Sequence, residues 1–255
     1  MADNTLFTAF HLDITGPYAE ERIAHALAQD GLITFDGIQS RGELLRLCHR
    51  LGTIVKHRDA DEAGLTRIAK RSDIEAKEGY QAFTTSYLTL HTDGSSITEP
   101  PTLVALWCEQ PAAEGGMSLF VDGKQLYQIL VHEHPQVLET LSTPNSVLFA
   151  GAEPPVYSSV FSTGADGSIC IRFRYDGLGY YAAPVCSVLP IFLGLLERHM
   201  LAFPLQKRQG YILQNRRWLH GRTAFRGERE MYRVLVRTDP ATVPCSVVRL
   251  GVQPG

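Results

Sequence analysis

The residues at positions 91 and 93 are a histidine and an aspartate, two side chains that bind metal ions. In an extended strand, residues two apart project from the same face, so His91 and Asp93 can converge on one point. An imidazole and a carboxylate placed in this way supply two ligands of a facial triad that leaves three positions on iron open. The two residues alone could equally well cap a loop and bind no metal. A third ligand is therefore needed to favour a metal site.

A candidate third ligand, His220, lies far along the chain. It stands at the end of an apolar run in the segment NRRWLHGRTAF, residues 215–225. His220 can complete the ligand set only if the fold brings its strand beside the strand of His91.

These motifs together resemble one family of enzymes. HTDG at 91–94, PP at 100–101, GG at 115–116 and NRR-x-x-HGR-x-x-F at 215–225 are similar to the taurine dioxygenase/TfdA-like family, which has clavaminate synthase and γ-butyrobetaine hydroxylase as relatives. The resemblance implies that His91, Asp93 and His220 are the metal ligands and catalytic residues. It also implies Fe(II) as cofactor, 2-oxoglutarate as cosubstrate and O2 as oxidant. We therefore expect an Fe(II)/2-oxoglutarate-dependent dioxygenase that releases succinate and CO2.

The resemblance assigns two residues to 2-oxoglutarate. Ser118, in a GGMS segment, matches a family position where a hydroxyl residue, more often Thr, helps to hold the cosubstrate. The two glycines also fit a plain hairpin turn. The family places an arginine that grips the far carboxylate of 2-oxoglutarate at a fixed spacing after the distal histidine, and that spacing from His220 falls on Arg233. An arginine suits this role because a guanidinium meets a carboxylate with two parallel hydrogen bonds. By strand alternation alone, the face that carries Arg233 and Arg237 would meet solvent.

Two further residues are candidates for substrate binding. Arg237 lies four residues after Arg233, where related enzymes carry a second arginine, and in taurine dioxygenase that arginine contacts the anionic end of the substrate. The sequence favours two partners for Arg237 equally: an acid group of the substrate, or an Asp or Glu of the protein in an internal ion pair. Tyr87 replaces a substrate-contacting Asn of taurine dioxygenase, which argues against taurine. We expect a small amino-acid-like or secondary-metabolite substrate from biosynthesis that is hydroxylated, desaturated or cyclised.

The elements that must position these residues are predicted to be α+β and mainly β. Apolar periodicity indicates helices near 19–29, 41–51, 123–133 and 188–202, and Ser40 and Glu43 form a capping box before the second of them. Short apolar runs predict strands at 32–35, 103–108, 117–121, 146–150, 156–161, 169–173, 211–219 and 231–236. The resemblance implies a double-stranded β-helix, a cupin-like jelly roll, with flanking helices.

Residues 57–85 are charged and poor in apolar periodicity. This composition predicts a long loop, and long loops in compact domains often carry function. We expect a lid over the active site within a single oxygenase domain that spans residues 1–255.

Composition limits the classes of partner. The chain has 44% hydrophobic and 20% charged residues, which is typical of a soluble globular protein. A net charge of −3 offers no basic field for nucleic acid. The sequence shows neither a secretory signal nor a membrane-spanning run, and five cysteines without a CxxC pair indicate reduced thiols. We expect a cytoplasmic protein with a small-molecule substrate and no membrane partner, and homo-oligomerisation stays open.

Two other classes of function use a similar scaffold. A jelly-roll metalloenzyme could hold a different metal and hydrolyse or isomerise its substrate, and a jelly roll could also be a non-catalytic binding module. The cosubstrate residues Ser118 and Arg233 argue against the first, and the intact ligand set argues against the second.

Overall fold

The computed structural model describes residues 5–73, 78–152, 154–164 and 167–238. The helices are α1 (Thr5–Ala9), α2 (Ala19–Asp30), α3 (Arg41–Leu51), α4 (Gly123–Glu133), α5 (Pro135–Leu141) and α6 (Ala183–Arg198), with a 3-10 turn at Gln81–Phe83. The strands are β1 (Leu32–Phe35), β2 (Thr53–Ile54), β3 (Leu65–Ala69), β4 (Leu88–His91), β5 (Leu103–Gln110), β6 (Glu114–Gly115), β7 (Ser118–Asp122), β8 (Val147–Phe149), β9 (Val156–Ser158), β10 (Phe161–Thr163), β11 (Ile169–Ile171), β12 (Gly179–Tyr181), β13 (Leu201–Phe203), β14 (Gly210–Gln214), β15 (Trp218–Arg222), β16 (Phe225–Arg226) and β17 (Glu230–Arg237).

Eight of these strands form two four-stranded antiparallel layers. One layer has the spatial order β3-β17-β5-β14, and the other has the order β4-β15-β7-β13. The chain changes layer between most successive strands, and β1 and β2 extend the first layer. This topology is a jelly roll, as the sequence predicted.

The strands bury both faces, and alternation decides which core each residue joins. On β5, Val104, Leu106 and Cys108 belong to a cluster that draws residues from both layers and lies between them. Leu103 and Trp107 face outwards and pack with α2 and α3. A third cluster packs α4, α5 and α6 against the outer face of the second layer. Helices therefore cover both layers and leave the interior of the jelly roll for the site.

The first helices end and begin as their sequences predict. Gly31 ends α2 with φ of 68°, and its N–H donates to the carbonyl of Leu27. Ser40 caps α3, and its side chain accepts from the backbone N–H of Glu43. The Glu43 carboxylate accepts from the N–H of Gln39 instead of returning to Ser40. Both features fix the helices that cover the first layer.

The prediction of one long loop over residues 57–85 is wrong for its central part. Leu65–Ala69 form β3, a strand of the first layer that pairs with β17 from Glu230 to Val234. Leu65 and Ile68 are buried, while Arg67 is exposed. The strand has only five residues and lies inside a charged stretch, so the composition of residues 57–85 hides its alternation of apolar and polar side chains.

The bounds of one helix and one strand differ from the predicted ones because of tertiary contacts. The predicted helix at 188–202 begins instead at Ala183, with a proline in its first turn, and ends at Arg198. Leu201–Phe203 form β13, because hydrogen bonds to β7 hold them extended. The run at 211–219 is two strands, β14 and β15, which a turn at 215–217 divides between the two layers. Within the described residues, no helix has both the length and the apolar character needed to cross a membrane.

The start of β15 is anchored firmly. Arg217 donates from Nε and Nη2 to the two carboxylate oxygens of Asp122, at 2.8 and 2.7 Å. The indole N–H of Trp218 donates to the carbonyl of Asp30 at 2.8 Å. These partly buried bonds tie β15, the strand that carries His220, to the end of α2 and to Asp122, the last residue of β7 before α4.

Candidate metal centre

Three metal-binding side chains meet between the two layers. His91 is the last residue of β4, and His220 lies directly opposite it on β15. Asp93 follows on the connection from β4 to β5. One ligand atom from each of these residues lies within 4.8 Å of the other two. The structure thus brings together the three residues predicted as metal ligands.

His91 has the tautomer that a metal ligand needs. Its Nδ1 lies 2.8 Å from the carbonyl oxygen of Thr89. Because a carbonyl only accepts, Nδ1 carries the proton and Nε2 keeps its lone pair. Burial, together with nearby His220, lowers the pKa of His91 to about 4. The imidazole is therefore neutral at physiological pH and ready to bind a cation.

The close approach of β4 and β15 requires Gly221. A Cβ atom at this position would lie 2.6 Å from the carbonyl oxygen of Leu88. A side chain would push the strands apart and separate the two imidazoles, whose ring centroids are 4.5 Å apart. The glycine of the HGR motif therefore has a role in the geometry of the site.

Asp93 is buried, and its two carboxylate oxygens differ. Oδ1 accepts from Arg233 Nη1 at 2.7 Å, whereas Oδ2 lies 3.5 Å from His220 Nε2 and has no hydrogen-bond partner in the described part of the chain. Burial opposes ionisation, but Arg233 and the two histidines outweigh it and lower the pKa of the Asp93 carboxyl. A cation held by Oδ2 and the two Nε2 atoms would satisfy this orphan oxygen, so the donor set fits a metal ion.

A small cavity of about 40 Å³ leads from the histidines into the interior. We call it the deep cavity. No carboxylate is among the described residues that line it. Its polar lining, besides His91 and His220, consists of Ser118, Tyr211, Arg222, Arg229 and Arg233. The predicted cosubstrate residues Ser118 and Arg233 therefore share one cavity beside the metal ligands.

Arg229 in the deep cavity lies 5.7 Å from the centre of the Phe225 ring and has no carboxylate partner among the described residues. It is 6% exposed, and its Nε has no hydrogen-bond partner among the described residues. Burial lowers its pKa to about 10. Arg222, by contrast, donates to the carbonyls of Thr84 and Thr223 at 2.9 and 3.0 Å. A buried guanidinium without an anion is costly, so Arg229 marks a binding site for an anion.

The sequence interpretation missed Arg229. The residue lies in the charged stretch RGERE, which is typical of an exposed turn. Its spacing was the available signal, because Arg229, Arg233 and Arg237 follow one another at intervals of four.

A larger cavity of about 220 Å³ opens on the other side of His91 and Asp93. We call it the outer cavity. Its polar lining includes Lys56, His57, Arg58, Arg174, Asp176 and Arg233, and its apolar lining includes Val55, Phe83, Leu88, Ile97 and Leu235. Asp176 is already paired with Arg174, with oxygens 2.8 and 2.5 Å from its nitrogens. Arg233 lines both cavities and stands between them.

The two predicted substrate residues lie elsewhere. Arg237 Nη2 lies 3.3 Å from the carbonyl of Glu99 and 3.8 Å from its carboxylate, which is the ion pair that the sequence left open. Tyr87 is 46% exposed, and its hydroxyl contacts the sulfur of Met200 at 4.0 Å. Neither residue is among the described residues that line the two cavities. Their contact with a substrate stays a prediction.

We predict that His91→Ala, Asp93→Ala and His220→Ala each abolish stoichiometric Fe(II) binding and retain the fold. Asp93→Ala should also destabilise the protein by roughly 3–5 kcal/mol, because it leaves Arg233 as a buried charge without its partner. Iron content after dialysis and urea unfolding measure the two effects. A variant that keeps one tightly bound iron would show that its residue is not a ligand.

Sequence comparison places the chain in a known family, through a match that includes His91 and Asp93. Residues 5–167 match the family described as taurine catabolism dioxygenase TauD, TfdA family. A trimethyllysine dioxygenase of Meyerozyma guilliermondii is 25% identical over 192 residues, which are 68% of this chain and 48% of that protein. The human gamma-butyrobetaine dioxygenase is 26% identical over 60% of this chain and 44% of its own length. The chain thus spans about half the length of these relatives.

Comparison with solved structures supports the same fold. An asparagine oxygenase in complex with Fe(II), 2S,3S-3-hydroxyasparagine and succinate superimposes with a TM-score of 0.72 and 17% identity, over 93% of this chain and 86% of that one. Since the family match covers well over half of the chain, the protein belongs to the TauD/TfdA family.

Proposed function

We propose that this chain is an Fe(II)/2-oxoglutarate-dependent oxygenase of a small molecule. One observation carries the proposal: a centre of two histidines and one carboxylate separates a deep cationic cavity from a larger outer cavity. The deep cavity suits a small dianion and the outer cavity suits a second, larger molecule. An oxygenase with a cosubstrate needs these two compartments beside one metal.

Iron at this centre would supply the oxidative chemistry, in which O2 and 2-oxoglutarate are consumed, succinate and CO2 are released, and the substrate is oxidised. The chain's own residues bind and orient the reactants. Three protein ligands would leave open positions on the metal, and with only one carboxylate among them a divalent ion would keep a net charge of about +1. An anionic cosubstrate is favoured by that remaining charge.

The cosubstrate's far carboxylate is proposed to lie in the deep cavity. Ser118 and Arg233, which the sequence predicted, line this cavity, and Arg229 adds a second guanidinium with no carboxylate partner. A bound carboxylate would neutralise Arg229 and accept from the Ser118 hydroxyl. This arrangement disfavours the hydrolytic metalloenzyme, which has no use for a buried anion site beside its metal.

The substrate is proposed to occupy the outer cavity. Its cationic rim and its apolar wall of Phe83, Leu88 and Leu235 suit a small molecule with an acid group and an aliphatic part. The solved relative with 3-hydroxyasparagine bound makes an amino-acid-like substrate our first choice. We propose a small-molecule substrate in the cytoplasm, and the acidic net charge of −3 supports the absence of a nucleic-acid partner.

Two measurements test the function. Anaerobic addition of Fe(II) and 2-oxoglutarate should give a weak visible charge-transfer band, and the band should be missing from the His220→Ala variant. In air, a panel of amino-acid-like molecules should be screened for succinate release above the rate without substrate. A chain that shows neither the band nor succinate formation is not a 2-oxoglutarate oxygenase.

Substitutions of Arg229 and Arg233 should affect 2-oxoglutarate binding, whereas substitution of Arg237 should not. Arg229→Gln and Arg233→Gln should each raise the KM for 2-oxoglutarate about 30-fold or more, because truncating one partner of a buried charge pair costs roughly 2–5 kcal/mol. Arg237→Gln is the matched control and should leave this KM unchanged, because Arg237 pairs with Glu99. Should Arg237→Gln impair 2-oxoglutarate binding equally, the deep cavity is not the cosubstrate site.

The parts of segment 57–85 that flank β3 are proposed to cover the substrate. His57, Arg58, Gly79 and Phe83 line the outer cavity. Closure over bound substrate would exclude water from the centre. We predict that limited proteolysis in these parts slows when metal, 2-oxoglutarate and substrate are all present. Equal cleavage rates with and without ligands would contradict the covering role.

A further inference from the structure

Asp93 lies outside any strand, so no ladder of backbone hydrogen bonds holds its peptide groups. β4 ends at His91, and the chain then crosses from one layer to the other before β5 begins at Leu103. A metal ligand tolerates only small displacements from its productive position. Some other contact must therefore fix the backbone of Asp93.

The side chain of Asn215 makes this contact. Its Oδ1 accepts from the backbone N–H of Asp93 at 2.7 Å, and its Nδ2 donates to the carbonyl of Asp93 at 2.8 Å. Nδ2 also donates to the carbonyl of Pro101 at 2.9 Å. An antiparallel neighbour bonds the N–H and C=O of one residue in the same way. The amide thus substitutes for a missing strand partner.

Asn215 is itself fixed on the segment that carries another ligand. It is 1% exposed, and its own N–H donates to the carbonyl of Thr102 at 2.9 Å. It lies in the turn between β14 and β15, where the chain again changes layer, five residues before His220. One side chain therefore joins the crossover that bears Asp93 to the crossover that leads to His220.

The chemistry of this position requires an amide. Asp93 N–H needs an acceptor, while the carbonyls of Asp93 and Pro101 need donors, and only a terminal amide offers both from one short side chain. Aspartate at 215 would keep the acceptor but turn a carboxylate oxygen toward two carbonyls. Alanine would leave three buried backbone groups without partners.

We infer that Asn215 is a positioning residue of the metal centre. Its amide fixes the peptide of Asp93, while Arg233 holds Oδ1 at 2.7 Å. The orphan Oδ2 then lies 3.5 Å from His220 Nε2, and Oδ1 lies 4.0 Å from His91 Nε2. The inference rests on the proposed metal site. It assigns Asn215 an effect on metal affinity that a purely structural residue would not have.

The test is a titration of the metal-free full-length protein with Co(II), which reports on affinity and on ligand geometry through its visible spectrum. Asn215→Ala should weaken Co(II) binding by about 10–100-fold, the usual effect of losing a residue that orients a metal ligand, and should change the spectrum. Asn215→Asp keeps the size and the acceptor, so it tests the same role if the alanine variant does not fold. It should also bind more weakly than the unaltered protein.

Trp218→Phe is the matched control. Trp218 is the first residue of β15, three residues after Asn215, and its replacement by phenylalanine removes one partly buried hydrogen bond, to the carbonyl of Asp30. It should lower stability to urea and retain the unaltered Co(II) affinity. If the folded Asn215 variants bind Co(II) as tightly as the unaltered protein, or if Trp218→Phe loses as much Co(II) affinity as they do, the role of Asn215 is overturned and the metal site is not. Failure of the unaltered chain to bind Co(II) would overturn the metal site and this inference together.

Discussion

The buried negative charge of Asp93 is the constraint on which the site depends. A carboxylate taken out of water needs cationic partners or a metal, because an isolated buried charge is strongly unfavourable. The structure supplies Arg233 to one oxygen and leaves the other beside His220. The two layers must therefore be in register, since Arg233 comes from one layer and His220 from the other. The jelly roll is the scaffold that enforces this register.

The arginines of the interior follow from the same electrostatics. Burial and the nearby positive charge of Arg229 lower the pKa of Arg222 to about 9. Such a pair persists only where an anion or well-placed carbonyls offset the repulsion. Carbonyls of Thr84 and Thr223 accept from Arg222, whereas Nε of Arg229 has no hydrogen-bond partner in the described part of the chain. We propose that this difference gives the deep cavity a preference for a small anion.

Short local patterns predicted most elements, and the family resemblance predicted the metal ligands. Strand alternation placed His91 and Asp93 on one face of a strand, whereas β4 ends at His91 and Asp93 lies beyond it. The cap at Ser40 is a local interaction, so the sequence predicts it directly. Arg229 was missed because its burial arises from pairing between distant strands, which no local pattern reports. The strand at 201–203 was read as helix for the same reason, since its bonds to β7 are long-range. Asp93 was predicted as a ligand, but the amide that fixes its backbone lies 122 residues away.

The strand β3 limits the movement of residues 57–85, the segment proposed to cover the substrate. Its pairing with β17 leaves one part of residues 57–85 on each side. The part before β3 follows β2, which also pairs with β17, whereas the part after β3 leads to β4 in the second layer. Arg58 joins the parts, because its Nη2 donates to the carbonyl of Gly79 at 3.0 Å and its guanidinium lies 4.3 Å from the ring of Tyr80. Arg71 adds a second link, because its Nη1 lies 3.4 Å from the carboxylate of Asp59. If the two parts cover the substrate as proposed, opening the outer cavity requires that these contacts break while β3 stays paired with the strand that carries Arg233.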